Sequence, residues 1–374
     1  SNPSHNYINF GNYSIQLIST SDQNCQDTLT KPIKVHPMPQ VDYLINDSNQ
    51  CVNNQSFEFT DLSSIPEATY NRVWDFGDNS NDTAQQNIHF YSLAGIYNAS
   101  LLIVSEFNCR DSQIFTIEVY PKPESKFSLN DTFQCLKNNE FIIIDSSQIE
   151  SGTFTYNWTS GDGQNSNLKE PNFSYNNFGN YSLKQILQSN NGCLDSNEIE
   201  IEVYPMPIAD YLINDSNQCL RANEFIFTNN SQIPNGSFTN SWYWTDTTQS
   251  TIDNPNKSFL REGQFQSLLV VVSDKNCYDS LFKNLEVYPQ PKANFSINDS
   301  TQCFRDHEIV LNNLSQINSG SLTYSWDFGD NQNSNQNNPS HNYQSFGNYT
   351  VELSVSSNFN CFDTLEKNVE IYPM

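Results

Sequence analysis

Nine cysteines carry most of the chemistry that this 374-residue chain could perform. Cys51, Cys135, Cys219 and Cys303 stand 84 residues apart, and so do Cys25, Cys109, Cys193, Cys277 and Cys361. Thiols at fixed spacing either ligate a metal or oxidise to disulfides. No Cys-x-x-Cys and no Cys/His cluster accompanies them, which favours disulfides and hence an oxidising, extracellular setting.

Aspartates keep the same period. Asp47, Asp131, Asp215 and Asp299 follow an asparagine in the loop leaving the first expected strand, and Asp78, Asp162, Asp246 and Asp330 fill a second loop position. Loop carboxylates near domain junctions could take a calcium ion, which binds carboxylate and carbonyl oxygens. No EF-hand or aspartate-rich nonapeptide is present, so Asx turns are the competing reading, and no other cofactor is implied.

Catalysis has little to stand on. Of the histidines His5, His36, His89, His307 and His341, three share one repeat position, where sister units carry Phe173 and Lys257. A base replaced by phenylalanine is not a shared catalyst. Gly-x-Ser-x-Gly, His-Glu-x-x-His and a phosphate-binding glycine loop are all missing. Trp74, Trp158, Trp242 and Trp326 could form a sugar-stacking platform, but a core tryptophan on a third strand is the stronger expectation.

These residues ride on a repeat. Pro37-Met38-Pro39 recurs as Pro121-Lys122-Pro123, Pro205-Met206-Pro207 and Pro289-Gln290-Pro291, and such a period is a whole small domain. Four full units are expected at 39–122, 123–206, 207–290 and 291–374, with residues 1–38 as the C-terminal half of a further one. Because Ser1 to His5 matches Asn337 to His341 at four of five positions, the chain reads as a window on a longer repetitive protein. A formal charge of −25 makes nucleic acid an improbable partner. The longest apolar run, Leu268 to Val272, is far below the roughly 18 residues of a membrane span, so no membrane insertion is expected of this segment.

In the last unit Ala293–Ile297, Glu308–Leu311, Leu322–Phe328, Tyr349–Val355 and Val369–Tyr372 read as strands, with no capped helical period between them. About seven short strands per unit predict an all-β chain, an array of antiparallel sandwiches.

Trp74-Asp75-Phe76-Gly77-Asp78 and Trp326-Asp327-Phe328-Gly329-Asp330, followed by Pro339-Ser340-His341-Asn342-Tyr343 and Gly347-Asn348-Tyr349, resemble the polycystic-kidney-disease (PKD) domain. The middle units keep only Trp158 with Asp162 and Trp242 with Asp246. The resemblance implies immunoglobulin-like sandwiches of secreted and cell-surface proteins, and tandem copies are similar to stalks of large Bacteroidota adhesins. Tyr13, Tyr97, Tyr181 and Tyr349, two residues after a glycine, resemble a tyrosine corner that Phe265 cannot form.

Two cysteine pairings stay open. Pairing within a repeat, Cys51 with Cys109, satisfies parity. In an immunoglobulin-like topology, however, those two lie at opposite poles, beyond the ~7 Å Cα limit. The favoured pattern staples neighbours, Cys51–Cys193, Cys135–Cys277 and Cys219–Cys361, leaving Cys25, Cys109 and Cys303 to partners outside the window. The expected function is a non-enzymatic stalk or filament segment whose partners are adjacent repeats and other copies of the chain. The alternative is an accessory carbohydrate- or protein-binding module of a secreted hydrolase.

Overall fold

The computed structural model describes residues 2–374, and every regular element among them is a β-strand. Two compact units emerge, one holding residues up to Phe133 with Glu140–Tyr175 and Asn180–Glu202, the other Gln134–Asn139, Asn176–Gly179 and Val203–Met374. In the first, β1 (Gly11–Thr20) and β2 (Gln26–Val35) make an antiparallel hairpin with Gly11 opposite Val35. That hairpin pairs with no further strand among the described residues, so Leu17 and Leu29 stay 65% and 55% exposed.

The next stretch contains β3 (Tyr43–Ile45), β4 (Asn49–Cys51), β5 (Phe57–Asp61), β6 (Tyr70–Asp75), β7 (Asn81–Asp82), β8 (Gln86–His89), β9 (Gly95–Ser105) and β10 (Arg110–Tyr120). One sheet has the order β3-β5-β8 and the other β4-β10-β9-β6-β7. All pairs are antiparallel except β4 with β10, where Asn49 to Cys51 run alongside Glu118 to Tyr120. The first strand thus splits between two sheets, an immunoglobulin-like device, and the break falls at Asn46-Asp47, where the Asp47 carboxylate accepts the Asn49 N–H at 2.9 Å. The same pair of sheets recurs in 207–290 and 291–374, and its strands recur in 123–206.

Each repeat has eight strands rather than about seven. The additional ones in the last repeat, Thr301–Cys303, Asn333–Ser334 and Ser340–His341, are two or three residues long and carry no readable period. Gly347–Ser357 and Phe362–Tyr372 are both longer than their alternating cores suggested, because they pair with each other along almost their whole length.

Alternation builds the core. On β9, Ala99, Leu101 and Ile103 point inward and are fully buried, as period 2 requires. Trp74, Trp158, Trp242 and Trp326 are each 0% exposed, which removes them from any sugar platform. Trp74 lies edge-on to Tyr43 and 5.5 Å from the Phe59 ring. The turn after it needs glycine, for at Gly77 φ is +79° and a Cβ would stand 2.6 Å from the Asn98 carbonyl oxygen.

Three of the four indoles also donate a hydrogen bond: Trp74 to Ala84 O at 3.1 Å, Trp158 to Leu168 O at 2.9 Å and Trp326 to Gln336 O at 3.0 Å. Trp242 has none, because the matching Ile252 carbonyl accepts from Asn240 instead. Replacing Trp326 by Phe leaves a carbonyl without its donor, whereas Trp242→Phe removes an unpaired N–H. In urea unfolding, Trp326→Phe is therefore expected to cost about 1–2 kcal/mol more than Trp242→Phe; equal costs would contradict this account of the core.

Candidate functional site

The polar chemistry of the molecule gathers where one repeat gives way to the next. β4 ends with Cys51 beside Tyr120, the last residue of β10, while Cys109 sits just before Arg110, the first residue of that strand. About 11 residues at ~3.3 Å each separate the two thiols by roughly 35 Å, several times the disulfide limit. Cys51 instead bonds Cys193, with Cα atoms 5.7 Å apart. Cys135 bonds Cys277 and Cys219 bonds Cys361 in the same way, each 142 residues apart in sequence. Cys25 and Cys303 are exposed free thiols, and Cys109 is a half-buried one.

A carboxylate latch accompanies each staple. Asp111 accepts the Val41 N–H at 2.9 Å, Asp195 that of Ser125 at 2.7 Å, Asp279 that of Ala209 at 2.9 Å and Asp363 that of Ala293 at 2.8 Å. Each bond ties the segment after a Pro-x-Pro linker to the start of the final strand of its repeat. Two of these aspartates also hold a cation from the preceding repeat or linker: Lys122 reaches Asp195 at 2.8 Å and Arg221 reaches Asp363 at 2.7 Å. Sequence reasoning overlooked them. Their signal is recurrence every 84 residues, each time before Ser or Thr.

Ring contacts complete the junctions. The residue at the end of one repeat's last strand meets the hairpin tip of the next: His36 stacks on Phe107 at 3.8 Å, the Lys275 amine lies 5.1 Å over the Tyr204 ring, and Tyr288 stacks on Phe359 at 4.5 Å. Pro-x-Pro residues join in, since the Gln290 side chain donates to Phe362 O at 2.5 Å.

The expected calcium aspartates are engaged otherwise. Asp47, Asp131, Asp215 and Asp299 each accept the backbone N–H two residues on, closing an Asx turn at 2.9–3.2 Å. Among the described residues no group of three or more His, Cys, Asp or Glu side chains could hold a metal ion.

Asp78 and Asp330 grip His89 and His341 at 2.8 Å, and Asp246 grips Lys257 at 2.6 Å. Where Phe173 stands in place of the histidine or lysine, Asp162 takes the Gln164 amide at 2.7 Å. Ser80, His89 and Asp78 have the composition of a nucleophilic triad but not its geometry. Both partners face the same ring nitrogen, Nε2, and Ser80 donates directly to Asp78, so no proton can pass from serine through the ring to the carboxylate. The imidazole also lies flat on Phe76 at 4.1 Å, as His341 does on Phe328. These pairs brace the loop after the core tryptophan.

The corner tyrosines Tyr97 and Tyr349 donate to the carbonyls of Leu93 and Ser345, both at 2.9 Å. They and Tyr181 are half-buried; the enclosed rings are Tyr91, Tyr175 and Tyr343, stacked beneath them at 4.1, 4.1 and 3.7 Å. In 207–290 both members become phenylalanine, Phe259 on Phe265 at 3.8 Å.

Partial burial tends to raise the carboxyl of Asp363, but hydrogen bonds from Ala293 N–H and Arg221 outweigh it and hold the group below the usual 3.8. Asp195 is lowered in the same way by Lys122 and Ser125 N–H. A folded-state value below the unfolded one gives stability that is present above pH 3.8 and lost as pH falls through the lowered value. Asp363→Asn is expected to flatten that acid limb and to cost about 1–3 kcal/mol at pH 7. Acid and urea unfolding followed by circular dichroism check both; an unchanged acid limb would remove the latch from the account.

The PKD domain family model matches residues 35–119 and 289–371. No curated protein sequence matches the chain. Among solved structures, the chain is similar to the PKD1 domain of Vibrio anguillarum Epp, at 29% identity over 23% of this chain and 96% of that one, with a TM-score of 0.21. The PKD1 domain from Vibrio cholerae metalloprotease PrtV is 26% identical over 22% of this chain and 96% of that one, with a TM-score of 0.20. A longer likeness, to the N-terminal eight Ig domains of Down Syndrome Cell Adhesion Molecule isoform 1.30.30, spans 99% of this chain and 54% of that one at 10% identity and a TM-score of 0.46. With split first strands and buried tryptophans throughout, the chain is a tandem array of immunoglobulin-like β-sandwiches, of which those at 35–119 and 289–371 match the PKD domain.

Proposed function

We propose that this chain is a non-enzymatic structural segment of a large extracellular surface protein, a run of spacers that carries distance and mechanical cohesion within an adhesin stalk or filament. The observation that carries this reading is the set of three disulfides, each joining one repeat to the following one rather than closing a repeat on itself. Cross-repeat bonds of this kind persist only in an oxidising compartment, which supports an extracellular location. A domain that works alone has no use for a covalent bond to its neighbour, whereas a spacer under tension does. The polar clusters best suited to chemistry are already engaged as turn acceptors and loop braces, and the partners this reading requires are the adjacent repeats. A surface charge of −25 keeps such arrays soluble and mutually repelling.

Antibody raised against residues 39–374 is expected to label intact, unpermeabilised cells of the native host. Labelling that requires permeabilisation would overturn the extracellular assignment and with it the stalk.

A further inference from the structure

The disulfides do more than join neighbours, because they reroute the covalent chain. Cys51–Cys193 closes a loop over residues 52–192, and Cys219–Cys361 closes another over residues 220–360. Between the loops runs only the stretch from Cys193 to Cys219. It contains the whole strand Leu194–Tyr204, the linker Pro205-Met206-Pro207 and the short strands Tyr211–Ile213 and Asn217–Cys219. A pull on the two ends is limited by the shortest covalent route. That route follows residues 1–51, crosses to Cys193, follows residues 193–219, crosses to Cys361 and leaves through residues 361–374.

The core tryptophans Trp74, Trp158, Trp242 and Trp326 all lie inside the two loops. So do the strands that carry most of the buried side chains. The third bond, Cys135–Cys277, joins one loop to the other and shortens nothing on the route.

We propose that Cys51–Cys193 and Cys219–Cys361 turn the array into a covalent tension member whose sandwich cores lie mostly off the load path. This rests on the structural reading above. Force does work only through a gain in end-to-end length, and opening a core inside a closed loop adds none to the route. Stretched fully, the route of about 90 residues reaches roughly 320 Å, against about 1,300 Å for the whole chain at ~3.5 Å per residue. A core that opens also keeps its loop ends joined, so part of the closure entropy of refolding is already spent.

Single-molecule stretching of the full chain, tethered at its two ends, reads this directly. The oxidised chain is expected to stop at about a quarter of the length reached in dithiothreitol, a roughly fourfold gain on reduction. Cys135→Ala with Cys277→Ala is expected to leave the oxidised length unchanged. Cys219→Ala with Cys361→Ala should slightly more than double it, since the shortest route then runs through about 210 residues. An oxidised chain that extends as far as the reduced one would overturn the proposal, as would equal lengthening by the two paired variants. An oxidised length near 150 residues, the value for bonds within repeats, would overturn it too. The measurement is made on purified protein, so it stands or falls separately from the cell-surface assignment.

Discussion

A repeat of this chain places its two cysteines at opposite ends of one strand. Cys51 lies level with Tyr120, and Cys109 precedes Arg110, so the length of β10 holds the thiols apart. No loop adjustment closes a gap of roughly 35 Å when a disulfide demands Cα atoms within ~7 Å. Cys51, Cys135 and Cys219 must therefore look beyond their own sandwiches, and the hairpin tip of the following repeat is what each meets. The Pro-x-Pro linker, the aspartate latch and the ring contacts at the strand ends all serve that meeting.

Magnitudes rank these contacts. Closing a loop of 142 residues restricts the unfolded chain by roughly 3–5 kcal/mol. An ion pair such as Arg221 with Asp363 has one largely exposed partner and is worth ~0–1 kcal/mol. The covalent bond thus decides that neighbours stay together, and the weaker contacts decide how they approach. That division fits the variation between two bonded junctions: the disulfide recurs in both, while the ring contact is Tyr204–Lys275 in one and Tyr288–Phe359 in the other. A position that needs only a partner for one ring face, aromatic or cationic, tolerates such exchange.

Much of the fold was legible because a β-strand buried on one face writes its period into the sequence. Tyr349–Val355 alternates strictly and proved to be the heart of an 11-residue strand. Asn333–Ser334 and Ser340–His341 were not legible, since two residues hold no period and their pairing depends on neighbours distant in sequence. The parallel step of Asn49–Cys51 against Glu118–Tyr120 was hidden for the same reason, and the reach of each cysteine depends on that register. The latch aspartates were hidden by their ordinariness, for a carboxylate before Ser or Thr looks like a turn until the Val41 or Ala293 N–H appears beside it. Tyr97 drew notice through its glycine, although the wholly enclosed ring is Tyr91, whose hydroxyl reaches the Phe76 carbonyl at 2.9 Å.

Cysteine connectivity is where the account is most exposed. Proteolysis of the oxidised chain without reductant, followed by mass spectrometry of the crosslinked peptides, reads the pairing bond by bond. Peptides joining Cys51 to Cys193, Cys135 to Cys277 and Cys219 to Cys361 are the expected result. A peptide joining Cys51 to Cys109 would contradict the account, because it would return each sandwich to independence.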